Sequence, residues 1–204
     1  MSAANVGSLE RVVVLFIRSD SHYKTLPGVD CYDIERDATT WPGGCPVVAH
    51  PPCRSWGVLA HMAFNVRPGE KELGPWAIEQ VRRWGGVLEH PAGSRLFAHC
   101  GCAVLNGFKE EFGGISILID QFDFGHVAHK PTLLYIVGCA FENLPPRPEK
   151  RIEKTSRSIC GNVLGTSRCT QRQREETPPK LAEWLIETAR RCSGHNTVLT
   201  KNDN

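Results

Sequence analysis

Six short apolar runs alternate with polar stretches that contain glycine, proline or aspartate. The first run, residues 11–17, includes three consecutive valines and is apolar throughout its centre, which is typical of a strand buried on both faces. The other runs are of strand length, and some alternate apolar with polar residues. The six predicted strands are residues 11–17, 29–34, 46–50, 87–89, 115–119 and 133–137.

Two longer stretches have helical spacing. The first, residues 71–84, should begin near Gly74 because Pro75 is tolerated only in a first turn, and Gly85-Gly86 should end it. The second, residues 178–192, opens on Pro178-Pro179, and a shorter helical stretch is expected near residues 22–26. The residues on the apolar faces are Leu73, Trp76, Ala77, Gln80, Val81 and Trp84 in the first helix, and Leu181, Trp184, Leu185, Thr188 and Ala189 in the second.

Strands that alternate with helices over the first half predict an α/β fold, with an open, mostly parallel sheet and helices on both faces. Ligands bind such sheets at the carboxyl ends of the strands. Three predicted strands end in unusual polar segments, which are Ser19-Asp20-Ser21, His50-Pro51-Pro52-Cys53 and Glu89-His90-Pro91. The sequence therefore predicts a functional site at this edge of the sheet.

The composition is that of an ordinary single globular domain: 204 residues, 41% hydrophobic and 23% charged. The sequence contains no apolar run near the roughly 18 residues needed to span a bilayer. Residues 1–10 lack the basic and apolar regions of a secretory signal, so a cytoplasmic protein without membrane contact is expected.

Nine cysteines are scattered without the paired short spacings of a zinc ribbon, and reduced thiols are expected in the cytoplasm. The alternative is a zinc site built from His99, Cys100 and Cys102, with Cys160 or Cys169 as the fourth ligand. Structural zinc sites usually show two clear ligand pairs, so no metal is predicted.

Positive charge concentrates between Arg147 and Arg174, where the net charge is +6, while the rest of the chain carries −4. Such an excess predicts a surface that contacts the phosphates of DNA, and the alternative is a solvated loop. The candidate contacts are Arg147, Lys150, Arg151, Lys154, Arg157, Arg168, Arg172 and Arg174.

Cys53 and Glu89 are the candidate reactive residues. Cys53 follows a strand end and two prolines that stop the strand, and Arg54 and His50 can favour its thiolate. Glu89 closes another strand, where a carboxylate can hydrogen-bond a ring nitrogen and serve as a general acid. The alternatives are a structural cysteine and a surface glutamate.

Together these segments resemble the DNA cytosine carbon-5 methyltransferase family. Its nucleophile motif is Pro-Pro-Cys, then Gln, a variable residue, an aromatic residue and a small residue, and this chain has Pro51-Pro52-Cys53-Arg54-Ser55-Trp56-Gly57. Its Glu-Asn-Val or Glu-Asn-Pro motif corresponds to Glu89-His90-Pro91. Residues 121–138 resemble its Gln-x-Arg-x-Arg run, and Arg174-Glu175-Glu176-Thr177 resembles its late Arg-x-x-Thr segment.

The resemblance covers roughly residues 11–190 and implies a role for each matched residue. Cys53 would attack carbon 6 of a pyrimidine and make carbon 5 nucleophilic, while Glu89 would hold and protonate the ring at N3. His129 or Lys130 would take the place of the family's basic motif, and Arg54 stands where the family has Gln. The base would have to leave the duplex stack.

The resemblance also implies S-adenosylmethionine as cofactor and a Rossmann-like, methyltransferase-type sheet. The family's glycine loop after the first strand is absent, and a strand–helix unit is missing before Cys53, so the sheet is reduced on its N-terminal side. The candidate cofactor residues are Ser19 and Asp20 after the first strand, Asp33 (or Glu35) for the ribose, Asp37 for the adenine, and Pro51. A different one-carbon donor, or none, is the alternative.

The predicted organisation is an N-terminal tail (1–10), a catalytic core (11–138), a basic and reduced target-recognition segment (139–174), a C-terminal helix (175–192) and a flexible tail (193–204). A target region this small predicts a short or relaxed DNA target. Proteins this short with these motifs look like phage or prophage products. Two alternatives remain, namely the same adduct chemistry on a free nucleotide or with another donor, and an inactive relative that binds nucleic acid or a partner protein.

Overall fold

The computed structural model describes residues 10–58, 60–62, 66–102, 112–159 and 165–192. Its main sheet has the order β2-β1-β3-β4-β6-β5, in which β1 to β4 run parallel and β6 runs antiparallel to both of its neighbours. The strands are β1 (Val12–Leu15), β2 (Val29–Tyr32), β3 (Val47–Ala49), β4 (Gly86–Pro91), β5 (Ile115–Asp120) and β6 (Pro131–Val137). A separate parallel pair joins β7 (Arg157–Ser158) to β8 (Ser167–Arg168).

Helices cover both faces of the sheet. Four short 3-10 turns connect the strands and helices at His22–Thr25, Ala38–Thr40, Ala60–Met62 and Phe141–Asn143. The α-helices are α1 (Leu73–Trp84), α2 (Leu96–His99), α3 (Gln171–Glu175) and α4 (Pro179–Arg190).

The two faces form two apolar cores. Because side chains alternate along a strand, Val12 and Val14 of β1 pack with α4, whereas Val13 and Leu15 pack with α1 and α2. All four β1 residues are fully buried, as their continuous apolar run predicts. This three-layer arrangement confirms the predicted α/β fold with a mostly parallel sheet.

A glycine sets the spacing between β3 and β4. Gly86 has φ +127°, and a Cβ placed on it would lie 1.9 Å from the carbonyl oxygen of Val47. Gly85, also at positive φ, ends α1 with its N–H donating to the carbonyl of Val81. The Gly85-Gly86 pair thus ends the helix, as predicted, and lets the two strands that carry the polar termini pair closely.

The predicted strands and helices are all present, with small shifts of their boundaries. β1 ends at Leu15 rather than at Ile17 because Phe16 adopts a left-handed φ of +63° that turns the chain out of the sheet. Between β2 and β3 the regular structure consists only of the turn Ala38–Thr40. None of the described helices is both long and apolar enough to cross a membrane.

The basic segment packs along the core. The backbone N–H of Arg151 donates to Asp123 Oδ1 at 3.0 Å, and the Trp184 indole of α4 donates to the carbonyl of Pro145 at 3.1 Å. The segment is therefore attached at both the sheet and the last helix.

Candidate active site at the carboxyl edge of the sheet

The strand order changes direction between β1 and β3, so the connections leaving these two strands diverge and open a crevice at their carboxyl ends. Ligands bind open α/β sheets at such a point. The segments that follow β1 and β3 meet there, and Glu89 of the neighbouring β4 lies beside them. The structure thus brings together the polar strand ends that the sequence singled out.

Cys53 is exposed and follows His50, which lines this crevice, by three residues. Its carbonyl accepts the backbone N–H groups of Trp56 and Gly57, both at 3.0 Å, which closes a tight turn behind Pro51 and Pro52. Desolvation by the surrounding protein raises the pKa of the Cys53 thiol, and the negative charge of Glu89 raises it further. The charges of Lys130 and Arg54 act in the opposite direction.

Glu89 is held at both carboxylate oxygens. Nδ1 of His50 lies 3.0 Å from Oε2, and Nε2 of Gln121 donates to Oε1 at 2.8 Å. Burial opposes ionisation, but the hydrogen bond from His50 and the positive charge of Lys130 outweigh it and lower the pKa of Glu89 to about 2. The carboxylate is therefore ionised at neutral pH, and its charge acts on the Cys53 thiol.

His50 connects Glu89 to Tyr23. Its Nε2 lies 3.0 Å from the Tyr23 hydroxyl, whose pKa burial raises well above the ordinary value, so the phenol stays protonated and can donate to a neutral imidazole or accept from a protonated one. Because an ionised carboxylate only accepts, Nδ1 must carry a proton toward Glu89. The predicted role of His50 as a partner of the Cys53 thiolate is not what the geometry shows, since both ring nitrogens are engaged elsewhere.

Lys130 and His129 differ in their position. The charge of Lys130 reaches both Glu89 and Cys53, and its ammonium group donates to the carbonyl of Glu176 at 3.2 Å. The ring of His129 instead pairs with Asp120 at 2.7 Å and lies against Phe122, with more than half of its side chain exposed. Of the two residues left open for the basic position, Lys130 is the one that acts on the site.

Arg54 points toward a different acid. Its Nε lies 2.9 Å from Oε1 of Glu70, a carboxylate that is itself almost completely buried. Its charge still lowers the pKa of Cys53. Arg54 therefore acts on the thiol at longer range while it fixes the chain beyond the Pro-Pro-Cys turn.

A cavity of about 210 Å³ lies at this edge of the sheet, and Tyr23 and His50, the partner of Glu89, form part of its wall. The charged groups around it pair with one another: Arg18 with Asp20 and Glu175, both at 2.9 Å, and Arg172 with Asp20 at 3.1 Å. The remaining lining residues are Phe16, Ile17, Ser21, His22, Glu176, Thr177 and Pro179.

The predicted cofactor residues are spread around the crevice, and only Asp20 lines this cavity. Asp33, at the end of β2, pairs with Lys24 at 2.5 Å and accepts the backbone N–H groups of residues 35 and 36. Asp37 caps the turn Ala38–Thr40. Ser19 is exposed on the loop after β1, and Pro51 is buried behind the thiol turn.

The eight predicted phosphate contacts fall into two groups. Arg151 lies over the Phe122 ring and donates to the carbonyl of Phe122, Arg172 pairs with Asp20, and Arg174 is half-buried. The other five are exposed and form no ion pair with any described residue: Arg147, Lys150, Lys154, Arg157 and Arg168. An open cleft of about 650 Å³ next to His129 includes Lys154 and Arg157 in its wall.

The zinc alternative gains no support from the described residues, among which no cluster of three or more His, Cys, Asp or Glu side chains could hold a metal ion. Cys102 is buried beside Arg82, and His99 packs on Trp56. Cys160, one of the two proposed fourth ligands, lies outside the described residues.

Sequence reasoning missed Tyr23, Gln121 and Thr132. Gln121 is fully buried and also donates to the Thr132 hydroxyl at 3.1 Å, which links Glu89 to β6. The only signal for Tyr23 was its place in a short helical stretch directly after the first strand. The comparisons with known proteins add nothing to this geometry, since no protein-family model matches the sequence and no curated protein matches it.

Proposed function

We propose that this protein modifies a pyrimidine base in DNA, with cytosine as the preferred base and carbon 5 as the modified atom, through a covalent adduct on Cys53. The observation that supports this most is that an exposed cysteine and a buried carboxylate follow the paired ends of β3 and β4, within electrostatic range of each other and of Lys130. These are the groups needed to add a nucleophile to a ring and to hold the ring nitrogen.

The proposed reaction begins with the Cys53 thiolate, which forms a bond to carbon 6. The electron pair of the C5–C6 double bond moves to C4–C5, and that of C4–N3 moves to N3, which takes a proton from Glu89. Carbon 5 is then the nucleophilic carbon of an enamine. Lys130 stabilises the thiolate before attack, because its charge lowers the pKa of Cys53.

The topology of the sheet also supports the proposal, although it concerns the type of fold and not the reaction. The crevice lies at the point where the strand order reverses, and both faces of the sheet carry helices, as in Rossmann-like sheets. The short link between β2 and β3, with its single 3-10 turn, agrees with a methyltransferase-type sheet that has lost a strand–helix unit. We infer a reduced sheet of this type.

S-adenosylmethionine, the donor that the resemblance implies, does not fit the residues expected to hold it. Only Asp20 lines the cavity at this edge of the sheet, and it is paired with two arginines. The cavity of about 210 Å³ is also smaller than the roughly 300 Å³ at which small-molecule sites usually begin. The proposal therefore ends at the activated carbon 5 and names no donor.

DNA is the proposed form of the substrate. Five cations of the basic segment are exposed, two of them (Lys154 and Arg157) line the cleft next to His129, and such side chains would contact phosphates without reading bases. Extruding the base from the duplex costs a few kcal/mol. With so small a recognition surface, a short target context is expected.

A hydrogen-exchange assay tests this proposal without assuming a donor. Addition of Cys53 makes carbon 5 pick up a proton from water, and reversal then releases the original hydrogen. DNA that carries tritium at carbon 5 of cytosine should lose it to water with the wild-type protein and not with Cys53→Ala. The half-buried Cys45 provides the matched control, Cys45→Ala, which should exchange at the wild-type rate.

Two outcomes would change the proposal. Exchange on deoxycytidine monophosphate but not on DNA would make a free nucleotide the substrate. Wild-type protein that releases no tritium from DNA or nucleotide, across pH 6–9 and with excess protein, would overturn the adduct chemistry.

A further inference from the structure

A line of three side chains runs from the wall of the cavity to the reactive carboxylate. Tyr23 and His50 both line the cavity, and His50 contacts Glu89. Nδ1 of His50 donates to Oε2 of Glu89, and the Tyr23 hydroxyl pairs with Nε2, as donor to the neutral imidazole and as acceptor from the protonated one. Tyr23 is 1% exposed, and its ring packs against the imidazole with the centroids 5.4 Å apart.

The proposed reaction requires Glu89 to deliver a proton, but the environment of Glu89 favours its ionised form. Both of its oxygens accept hydrogen bonds, and Lys130 adds a positive charge nearby. A proton must therefore reach Glu89 from another group in each turnover. His50 is the side chain with an ionisable ring that lies in hydrogen-bond contact with the carboxylate, with Nδ1 3.0 Å from Oε2.

We propose that His50 carries the proton that Glu89 delivers to N3 of the pyrimidine, taking it up on the side of the cavity, with Tyr23 as the positioning residue that orients the imidazole. This inference rests on the proposed function. It assigns the cavity of about 210 Å³ to solvent and proton access.

The proton balance is closed within the relay. Protonated His50 gives its Nδ1 proton to Glu89 as Glu89 gives one to N3, and the neutral imidazole regains a proton from water in the cavity. When Cys53 leaves carbon 6, the N3 proton returns through Glu89 to His50, and His50 releases one proton to the water of the cavity. No net proton or electron is consumed in the exchange reaction.

Other charged and titratable groups facing Glu89 do not duplicate this role. Lys130, at the start of β6, donates to the carbonyl of Glu176, and Cys53 is the nucleophile. His90, next to Glu89 on β4, is 1% exposed, and burial lowers its pKa to about 4, so it is neutral at pH 7. Gln121 contributes a hydrogen bond but does not titrate.

The pH dependence of exchange tests the relay. With His50 in place, exchange needs a proton on the relay, which is lost at high pH, and an ionised thiol, which is absent at low pH. A plot of the exchange rate against pH should therefore be bell-shaped. In His50→Gln the rate at pH 7 should fall about 100-fold, and it should rise continuously with pH until the thiol is ionised. Tyr23→Phe should keep the bell-shaped pH profile, and its exchange rate should fall by a smaller factor, about 3- to 10-fold.

The exposed His99 provides the matched control, since His99→Gln removes an imidazole without touching the relay and should leave rate and profile unchanged. If His50→Gln does not fold by circular dichroism, His50→Asn replaces it.

The outcomes separate the two proposals. No exchange by the wild-type protein overturns the proposed function. Exchange by the wild type with an unchanged bell-shaped pH profile in a folded His50 variant overturns the relay and leaves the adduct chemistry intact.

Discussion

Two neighbouring regions at the carboxyl edge of the sheet use charge in different ways. On the thiol side, the side chains come from the ends of β3 and β4 and the start of β6, and several donors converge on one carboxylate. On the cavity side, Arg18, Asp20, Arg172 and Glu175 come from a loop and a short helix, and their charges neutralise one another. Charges therefore pair with one another on the cavity side, whereas they converge on Glu89 on the thiol side.

The difference follows from what holds each region. Strand register fixes Glu89 opposite Leu134 of β6 and fixes Ala49, the last residue before the thiol turn, opposite Leu88 of β4. Loop residues have no such register, so they can rotate to pair with any opposite charge nearby. The thiol side should therefore be sensitive to small changes, and the cavity side should tolerate them.

The largest effect should come from Gly86→Ala. The added Cβ would lie 1.9 Å from the carbonyl oxygen of Val47, and backbone on both sides prevents relief, so we expect a loss of more than about 3 kcal/mol and little folded protein. Urea unfolding measures the change.

Gly44→Ala is the matched control. Gly44 also has a positive φ, +101°, but nothing lies within 4 Å of a Cβ placed there, so only the backbone strain of about 1 kcal/mol is expected. Equal losses in the two variants would show that the close approach of β3 and β4 is not what limits stability.

The second effect concerns Glu89→Gln, which should reduce tritium release by about 10²- to 10⁴-fold because the group proposed to protonate N3 is removed.

The stability of Glu89→Gln should change as well. The folded pKa of Glu89, about 2, lies below its ordinary value of 4.5, so its contribution of about 3 kcal/mol is complete above pH 4.5 and is lost as the pH falls toward 2.

Urea unfolding at pH 7 and pH 3 measures that contribution. Glu89→Gln should be less stable than the wild type at pH 7 and lose less stability between the two pH values. The exposed Glu183 gives the matched control, Glu183→Gln, whose pH dependence should follow the wild type. Parallel curves for Glu89→Gln and the wild type would contradict the ionised, hydrogen-bonded state of Glu89.

Sequence predicted the parts of this site that depend on local pattern. Cys53 and Glu89 stand where apolar runs give way to polar residues, and strand ends can be recognised from that change. The contacts of Tyr23 and Gln121 could not be predicted, because they depend on how β1, β4 and β5 are arranged in space. The ion pair between Asp20 and Arg172 joins distant parts of the chain and carries no local signal.

The order and direction of the strands could not be predicted from the sequence pattern either. β5 and β6 are joined by residues 121–130 alone, which is shorter than the dozen or more residues that a parallel crossover needs, so the two strands pair antiparallel. The pattern of apolar and polar positions predicted where the strands lie along the chain but not their direction in the sheet. The insertion of β6 between β4 and β5 brings Lys130 to Glu89, and this pairing therefore required the structure.

The smallest effect should come from Arg18→Gln on the cavity side. Arg18 pairs with Asp20 and Glu175, but about a third of its side chain is exposed, and ion pairs of this kind contribute little to stability. We expect tritium release within about twofold of the wild type, because the relay needs water in the cavity and not the charge of its wall. A loss of tenfold or more, with unchanged folding, would mean that the paired charges take part in the reaction and that the contrast between the two regions is wrong.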